Sequence, residues 1–297
     1  MSPSNAPSIQ RLSRRGFFKL SLCGAAGLAI YAGEIERHWV EITRHDVHLR
    51  GLSAAFDGMR IAQISDIHMD NYTEPFYLRR VVEYVNGLKP DAIFLTGDFV
   101  TAGLWTSKQH DYDSAWQCTN ILNGLECRAL YAVLGNHDFA VGAQEVSTAL
   151  SSNGIAVLRN ECLPIERVGS RIWVAGVDDP LIGHPDPGQA IPEMIRNRPD
   201  EPVILLCHGP DYADRLLLQP AGKAVDLMLS GHTHGGQVRI PFMPALVLPP
   251  MGRKYVEGWF HLDQLQLYVN RGIGAIELPF RFNCPPEITL FTLRTSA

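Results

Sequence analysis

The sequence predicts an α/β fold with mixed β-sheets, helices on the outside and a β-rich C-terminal part closing it. Three observations carry this expectation. Short apolar runs bounded by polar or Gly-rich loops recur between residues 59 and 230, as buried strands do. Between several of them the apolar positions switch to helical spacing. From Gln237 onward helical periodicity fades, and short apolar runs alternate with Pro- and Gly-rich turns.

Met59–Ser65 (MRIAQIS) is the first buried strand. Pro75 then opens a helix at its first turn, in which Phe76, Leu78, Val81, Val82, Val85 and Leu88 recur at roughly helical spacing; Gly87 and Pro90 close it. Asp91–Thr96 is the next strand, followed by a helix around Asp113–Leu125 and a strand at Ala129–Leu134. A helix at Ala143–Asn153 leads to a short run at Ile155–Leu158. Arg171–Val177, Val203–Cys207 and Val225–Ser230 are further strands that end in polar loops. Gln237–Ile240, Gln266–Val269 and Ile288–Leu293 supply the β-rich part. No repeat or low-complexity tract interrupts the chain, so residues 59–297 are expected to form one domain, with 34–58 as a lead-in.

Composition narrows the function classes. With 46% hydrophobic and 19% charged residues over 297 positions, the chain can bury a sizeable core, unlike a disordered or coiled-coil protein. Its 26 Lys+Arg against 31 Asp+Glu leave a net charge of −5, which speaks against a general nucleic-acid binder. Six cysteines without a C-x-x-C pair make neither a disulfide scaffold nor a zinc ribbon. Five cysteines remain past residue 33, an odd number that cannot all pair, so mostly buried thiols are expected, with one bridge between Cys118 and Cys127 left open.

Residues 1–33 read as an address. No acidic residue precedes Glu34, whereas Arg11, Arg14, Arg15 and Lys19 are present, and Leu20–Gly33 carries no charge. A basic stretch followed by a short apolar stretch is the pattern of an export signal. Ser13-Arg14-Arg15-Gly16-Phe17-Phe18-Lys19 resembles the twin-arginine export motif, with Phe18 in the usual Leu place. That resemblance implies a twin-arginine export machinery as partner, and a location in the periplasm or on the outer face of the cytoplasmic membrane. No good small-x-small cleavage site follows, so the segment is also compatible with a retained membrane anchor.

The chemistry sits where the strands end. MRIAQIS runs into Asp66-Ile67-His68, AIFLT into Gly97-Asp98, and ALYAVL into Gly135-Asn136-His137-Asp138. VILLC runs into His208, and VDLMLS into Gly231-His232-Thr233-His234. Ligands bind open α/β sheets outside the carboxyl ends of the strands, where neighbouring loops converge. Asp66, His68, Asp98, Asn136, His208, His232 and His234 would therefore meet on one rim. Imidazoles mixed with carboxylate and amide oxygens suit Mn²⁺, Fe or Zn²⁺ better than Mg²⁺ or Ca²⁺. Seven donors exceed one tetrahedral zinc and fit two cations sharing a carboxylate. A lone Asp-x-His is usually surface decoration and a lone Gly-Asp a turn; Gly-Asn-His-Asp and Gly-His-Thr-His in series are far more specific.

This motif series resembles that of the calcineurin-like metallophosphoesterases, and its branch features resemble the YaeI/YkuE-type phosphodiesterases. The branch features are the twin-arginine start, Gly231–Gln237 (GHTHGGQ), Arg271–Gly274 (RGIG) and Arg281–Glu287 (RFNCPPE). The resemblance implies a four-layer α/β/β/α sandwich, two mixed sheets flanked by helices. It implies one metal held by Asp66, His68, Asp98 and His234, and a second by Asp98, Asn136, His208 and His232. His137 would face the phosphate or leaving group, with Asp66 or Asp138 setting its orientation. The implied activity is hydrolysis of phosphodiesters by in-line attack of a metal-bridging hydroxide, with two divalent ions per chain, Mn²⁺ foremost. Arg271 and Arg281 are open to two readings, contact with a substrate phosphate or the surface ion pairs in which arginine is common. A pyrophosphatase acting on a nucleotide-linked lipid of the UDP-diacylglucosamine type is the enzymatic alternative, with the membrane surface as partner. From another class comes a non-catalytic binding module on the same fold. His38, His45, His48, His110, His184 and His261 fall outside the motifs and read as surface or satisfied core histidines. Trp105–Asp113 reads as a loop, with a place at the substrate entrance as one role open to it.

Overall fold

Alternation along the central strands sends side chains to two faces, and both faces are buried. In a computed structural model describing residues 13–70, 72–103 and 106–295, twelve strands form two six-stranded sheets. The strands are β1 (Glu41–His48), β2 (Arg60–Ile64), β3 (Ala92–Leu95), β4 (Leu130–Ala132), β5 (Ala156–Val157) and β6 (Glu161–Arg167), followed by β7 (Ser170–Gly176), β8 (Val203–Leu206), β9 (Val225–Ser230), β10 (Gly258–Leu262), β11 (Leu265–Val269) and β12 (Glu287–Arg294). The first sheet runs β1-β12-β2-β3-β4-β5, and the second runs β10-β11-β9-β8-β7-β6. Both are mixed: β2 through β5 are parallel and β12 antiparallel to β2, whereas β7, β8, β9 and β11 are parallel with β6 and β10 antiparallel at the edges.

The facing sheets enclose Ile61, Phe94, Val174, Leu206, Leu229 and Phe291. Gln63 crosses this layer, its amide donating to Thr96 Oγ1 and to the Ser230 carbonyl, each at 3.0 Å, which pins the sheets together at their carboxyl ends. The outer face of the first sheet, with Ala62, Ile93 and Leu95, packs under α2 (Pro75–Leu88), α3 (Lys108–Leu122) and α4 (Asn136–Ser152). The outer face of the second, with Val203, Leu205 and Met228, is covered by short helical segments carrying Ala190, Ile195 and Leu216. This is the expected four-layer sandwich of two mixed sheets flanked by helices.

Most elements fall where the pattern puts them, with instructive differences. The lead-in 34–58 contains β1, which pairs in parallel with β12 at the edge of the first sheet. The span Asn136–Ser152 is broken at Gly142 (φ 153°), so the helix expected from Ala143 begins there and a shorter helical stretch from Asn136 precedes it; the helix expected from Asp113 starts at Lys108, where Ser107 Oγ accepts from the His110 N–H at 3.3 Å. The expected Trp105–Asp113 loop is thus helical from Lys108; Trp105 itself lies outside the described residues, as does Arg11. Gln237–Ile240 is not a strand: its one ladder contact is an isolated bridge from Val238 to Phe282. Cys118 and Cys127 are both free thiols, so the suggested disulfide does not form.

Ahead of β1, a helical segment runs from Arg14 to His38: α1 (Arg14–Ile30), a π turn over Tyr31–Ile35 and a 3₁₀ turn over Glu36–His38. Its length and composition are sufficient to cross a membrane.

Candidate metal centre

The carboxyl ends of β2, β3 and β4 in one sheet and of β8 and β9 in the other meet at one rim. Backbone bonds lock their loops together: the Asp66 N–H donates to the Gly97 carbonyl at 2.9 Å, and the His68 N–H to the Asp98 carbonyl at 3.0 Å. Asp138, at the start of α4, fastens the next loop. Its carboxylate accepts from the N–H groups of Asp98 (2.8 Å), Phe99 (2.9 Å), Val100 (3.3 Å) and Gly135 (2.9 Å). Six of the seven expected donor residues come together here in three groups of side chains able to hold a cation, among the described residues, and the seventh, Asn136, lines the same cavity. The groups are Asp66, His68 and His234; Asp98, His208 and His232; and His68, Asp98 and His137.

The distances are those of side chains aimed at shared points. His68 Nε2 and His234 Nε2 stand 3.0 Å apart, and His234 Nε2 is 3.5 Å from Asp66 Oδ1. Asp98 Oδ2 lies 3.1 Å from His208 Nε2 and 3.5 Å from His68 Nε2, between the two groups. His208 Nδ1 donates to the Thr96 carbonyl at 2.7 Å, which leaves Nε2 as a lone pair facing the centre. His232 Nε2 likewise donates to the Pro250 carbonyl at 2.7 Å, leaving Nδ1 free.

Two features of the centre have no structural use of their own. Asn136 Oδ1 is buried without a hydrogen-bond partner, a costly state for a group that a cation would satisfy. Asp66, His68, Asp98, His232 and His234 all take left-handed backbone conformations, with φ between 49° and 74°. Each such non-glycine residue costs on the order of 1–3 kcal/mol, a strain that clusters at functional sites. The donor set and its unsatisfied Asn136 oxygen therefore fit a pair of divalent cations.

Glycines let the carboxylates in. A Cβ on Gly135 would collide with Asp98 Oδ1, and one on Gly231 with Asp66 Oδ2 and Ser65 Oγ. The Gly-Asn-His-Asp and Gly-His-Thr-His patterns thus record close approach as well as ligand chemistry.

Electrostatics favour neutral imidazoles at His68, His232 and His234, whereas at His208 burial is outweighed by the Asp98 and Asp66 carboxylates, which push its pKa up. Burial lowers the pKa of His68 to about 3 and of His232 to about 4, and it holds His234 down as well. These three rings keep lone pairs for a cation. Burial pushes Asp66 up to about 6 with help from the Asp98 charge. At Asp98 the same burial is outweighed by the His208, His137 and His68 rings, which hold the carboxyl low.

His137 stands beside the centre, its ring 4.9 Å from that of His68 and nearly perpendicular to it. The Ala102 N–H donates to its Nδ1 at 3.1 Å, so the neutral ring carries its proton on Nε2. Orientation thus comes from a backbone amide, not from Asp66 or Asp138; Asp138 is fully engaged with backbone donors, and Asp66 accepts from the His232 N–H. Nothing in the side-chain pattern could have revealed a main-chain partner.

The phosphate-contact reading of the two arginines is corrected. Arg281 is fully buried, and its guanidinium donates to the carbonyls of Gly274, Cys284, Arg271 and Gly272. Arg271 is held by Glu287 at 3.1 Å and Glu41 at 2.7 Å. Arg281 stands behind His234, its Nη2 3.4 Å from Nδ1, and neither arginine lines the cavity over the centre. That cavity, of 570 Å³, has Asp98, Asn136, His137, His232 and His234 at its floor.

The calcineurin-like phosphoesterase family pattern matches residues 59–236. The uncharacterized metallophosphoesterase YkuE of Bacillus subtilis is 33% identical, over 97% of this chain and all of that one. Phosphodiesterase YaeI of Escherichia coli is 30% identical over 95% of this chain and 99% of its own. The UDP-2,3-diacylglucosamine pyrophosphatase LpxG of Chlamydia muridarum is 26% identical over 88% and 91%. With the strand-end donors, the two-sheet sandwich and this pattern in agreement, the chain belongs to the calcineurin-like phosphoesterase family.

Proposed function

We propose that this chain hydrolyses phosphodiesters with the help of two divalent cations that share Asp98, Mn²⁺ foremost. Asp66, His68, Asp98 and His234 would hold one, and Asp98, Asn136, His208 and His232 the other. Once bound, such a pair supplies Lewis acidity that activates water and screens the phosphoryl oxygens. The carrying observation is the convergence of two donor groups about Asp98, with the His137 Nε2–H at the floor of the same cavity.

The chain's own part follows from the charge problem. A phosphodiester is an anion with a poor alkoxide leaving group, so attack needs positive charge and departure needs a proton. His137 would meet that oxygen: as water oxygen bonds to phosphorus and the opposite P–O bond breaks, the Nε2–H of the neutral ring donates a hydrogen bond to the departing oxygen, which takes its proton from the attacking water. The Ala102 amide keeps the ring in the donor tautomer. Product protons leave through the open side of the cavity.

Metal analysis of the purified full chain, joined to hydrolysis of bis(4-nitrophenyl) phosphate, tests the reading. About two equivalents of metal and metal-dependent diester cleavage are expected; a metal-free protein without activity would favour a binding module. A second reading, pyrophosphate cleavage in a nucleotide-linked lipid, draws on the LpxG likeness and on the apolar wall of the cavity. Faster turnover of UDP-2,3-diacylglucosamine than of the simple diester would select it.

Export by the twin-arginine route, with the chain at the outer face of the cytoplasmic membrane, is supported by Ser13–Lys19 and by the apolar helical segment that follows. Replacing Arg14 and Arg15 by Lys is expected to retain the protein in the cytoplasm, read by cell fractionation.

A further inference from the structure

Between Arg239 and Arg253 the chain carries no charge, and it reads Ile-Pro-Phe-Met-Pro-Ala-Leu-Val-Leu from residue 240 to 248. Such a stretch would ordinarily be core. Here Phe242 is fully exposed, Val247 is 75% exposed, and Ile240, Met243 and Leu246 are exposed beside them. Single apolar residues on a surface are normal, but a contiguous exposed run marks an interaction surface. Its far end is the cavity wall: Leu246, Val247 and Leu248 face Ile276 and the exposed Leu278 above the donor floor.

What meets this run is indicated by its neighbour. The Phe282 carbonyl accepts from the Arg239 N–H at 2.9 Å, and the Phe282 ring packs edge-on to Tyr31 at 6.4 Å. One residue earlier, the Arg281 N–H donates to the Ala32 carbonyl at 3.0 Å, and Gly33 lies against the Phe280 ring. Glu36 accepts from the Cys284 N–H at 2.6 Å, and Arg37 pairs with Glu74 at 2.7 Å. The base of the apolar N-terminal segment is therefore bolted to the strip from which the exposed run emerges. Beyond that base, Phe17, Phe18, Leu20, Leu22, Leu28 and Ile30 are exposed along α1. Two unburied apolar surfaces thus start from one place, the 240–248 run and a helical segment that is uncharged from Leu20 to Gly33, and the latter belongs to a helix with the length of a membrane span.

We infer that the 240–248 segment is a bilayer-contacting lip, and that the cavity behind it takes phosphoesters bearing an alkyl or acyl chain. The Phe242 and Met243 tip enters the interface of the lipid bilayer to which α1 fixes the chain. Leu246 to Leu248, with Ile276 and Leu278, give the lipid chain an apolar path while its phosphate reaches His137. The substrate part rests on the proposed hydrolytic reading; the lipid contact does not.

The test uses the full chain, α1 included, reconstituted in phosphatidylethanolamine–phosphatidylglycerol vesicles with or without acyl-brominated lipid. Phe242→Trp should add blue-shifted fluorescence over the wild type, of which brominated lipid quenches about half or more. Added fluorescence with a water-exposed maximum overturns the inference. So does a blue shift untouched by bromine, which would place a protein or a second copy over the tip. In the same vesicles, Phe242→Ser combined with Met243→Ser should slow cleavage of hexadecyl 4-nitrophenyl phosphate about fivefold or more. Soluble bis(4-nitrophenyl) phosphate should stay within about twofold of wild type, with an unchanged melting temperature. Equal loss on both esters, or none on either, overturns the delivery role. If the wild type cleaves neither ester yet bromine still quenches the fluorescence that Phe242→Trp adds, the hydrolytic reading fails and the lipid contact stands.

Discussion

His208 points Nε2 at Asp98 Oδ2 across 3.1 Å, while its other nitrogen donates to the Thr96 carbonyl at 2.7 Å. The ring cannot turn away without breaking a buried bond, so it is set before any ligand arrives. Asp98 is equally fixed: its Oδ1 accepts from the His137 N–H at 2.9 Å, and its own N–H is held by Asp138.

Asp98→Ala should remove the carboxylate that lies between both donor groups. Metal content is expected to fall from about two equivalents toward one or fewer. Hydrolysis should drop by more than about a hundredfold, since even outer partners of metal ligands cost about 10- to 100-fold. Mass-spectrometric metal analysis and diester kinetics check both. Retained metal and activity would break the shared-carboxylate arrangement.

His137→Ala separates a hydrogen-bond donor to the leaving group from a metal ligand, because His137 also groups geometrically with His68 and Asp98. One hydrogen-bond donor to a developing oxyanion contributes about 10²–10³-fold, and most where the leaving group is basic. Cleavage of an alkyl diester should therefore fall by about that factor, and cleavage of a 4-nitrophenyl ester by much less, with metal content unchanged. Loss of metal instead would move His137 into the donor set.

The centre is legible in the sequence because its donors stand at the ends of apolar strands, where polarity switches abruptly within one or two residues. Val225–Ser230 is recovered to the residue, since an all-buried parallel strand leaves an unbroken apolar run. Edge strands leave no such trace: β1 (EITRHDVH), β6 and β10 are half-exposed and mix charge or polar groups with apolar residues, so the pattern announces none of them. The start of α4 is hidden because Asn136, His137 and Asp138 look like a polar loop, although each is helical and Gly135 precedes them as the cap. Arg281 could not be read as buried, because its partners are carbonyls that any residue would supply.

Gly135→Ala tests the close approach that the glycine permits. The residue's φ of −96° is ordinary, so the added methyl acts through collision with Asp98 and not through backbone strain. Overpacking of this kind costs about 1–3 kcal/mol, and here it would also displace a shared carboxylate. A lower melting temperature together with reduced metal content is expected; calorimetry and metal analysis measure them. Normal values for both would mean that the loop relaxes freely.

Glu287 gives a pH prediction away from the centre. Its buried carboxylate accepts from Tyr268 Oη at 2.5 Å, Thr43 Oγ1 at 2.7 Å, Thr289 Oγ1 at 3.0 Å, and the N–H and Nε of Arg271 at 3.1 Å. Burial alone would raise its pKa, but the Arg271 charge and the hydroxyl donors prevail and hold it below the ordinary 4.5. The charged form is thus favoured by folding, so this contribution is complete above pH 4.5 and is lost as pH falls through the lower folded value. Glu287→Gln keeps the shape but loses the charge, leaving Arg271 short of one counter-ion. The variant should melt earlier near neutrality, and the gap to wild type should narrow as the pH drops below 4.5. Thermal melts across that range decide it: a gap that stays constant or widens in acid would mean that Glu287 is not held ionised by folding.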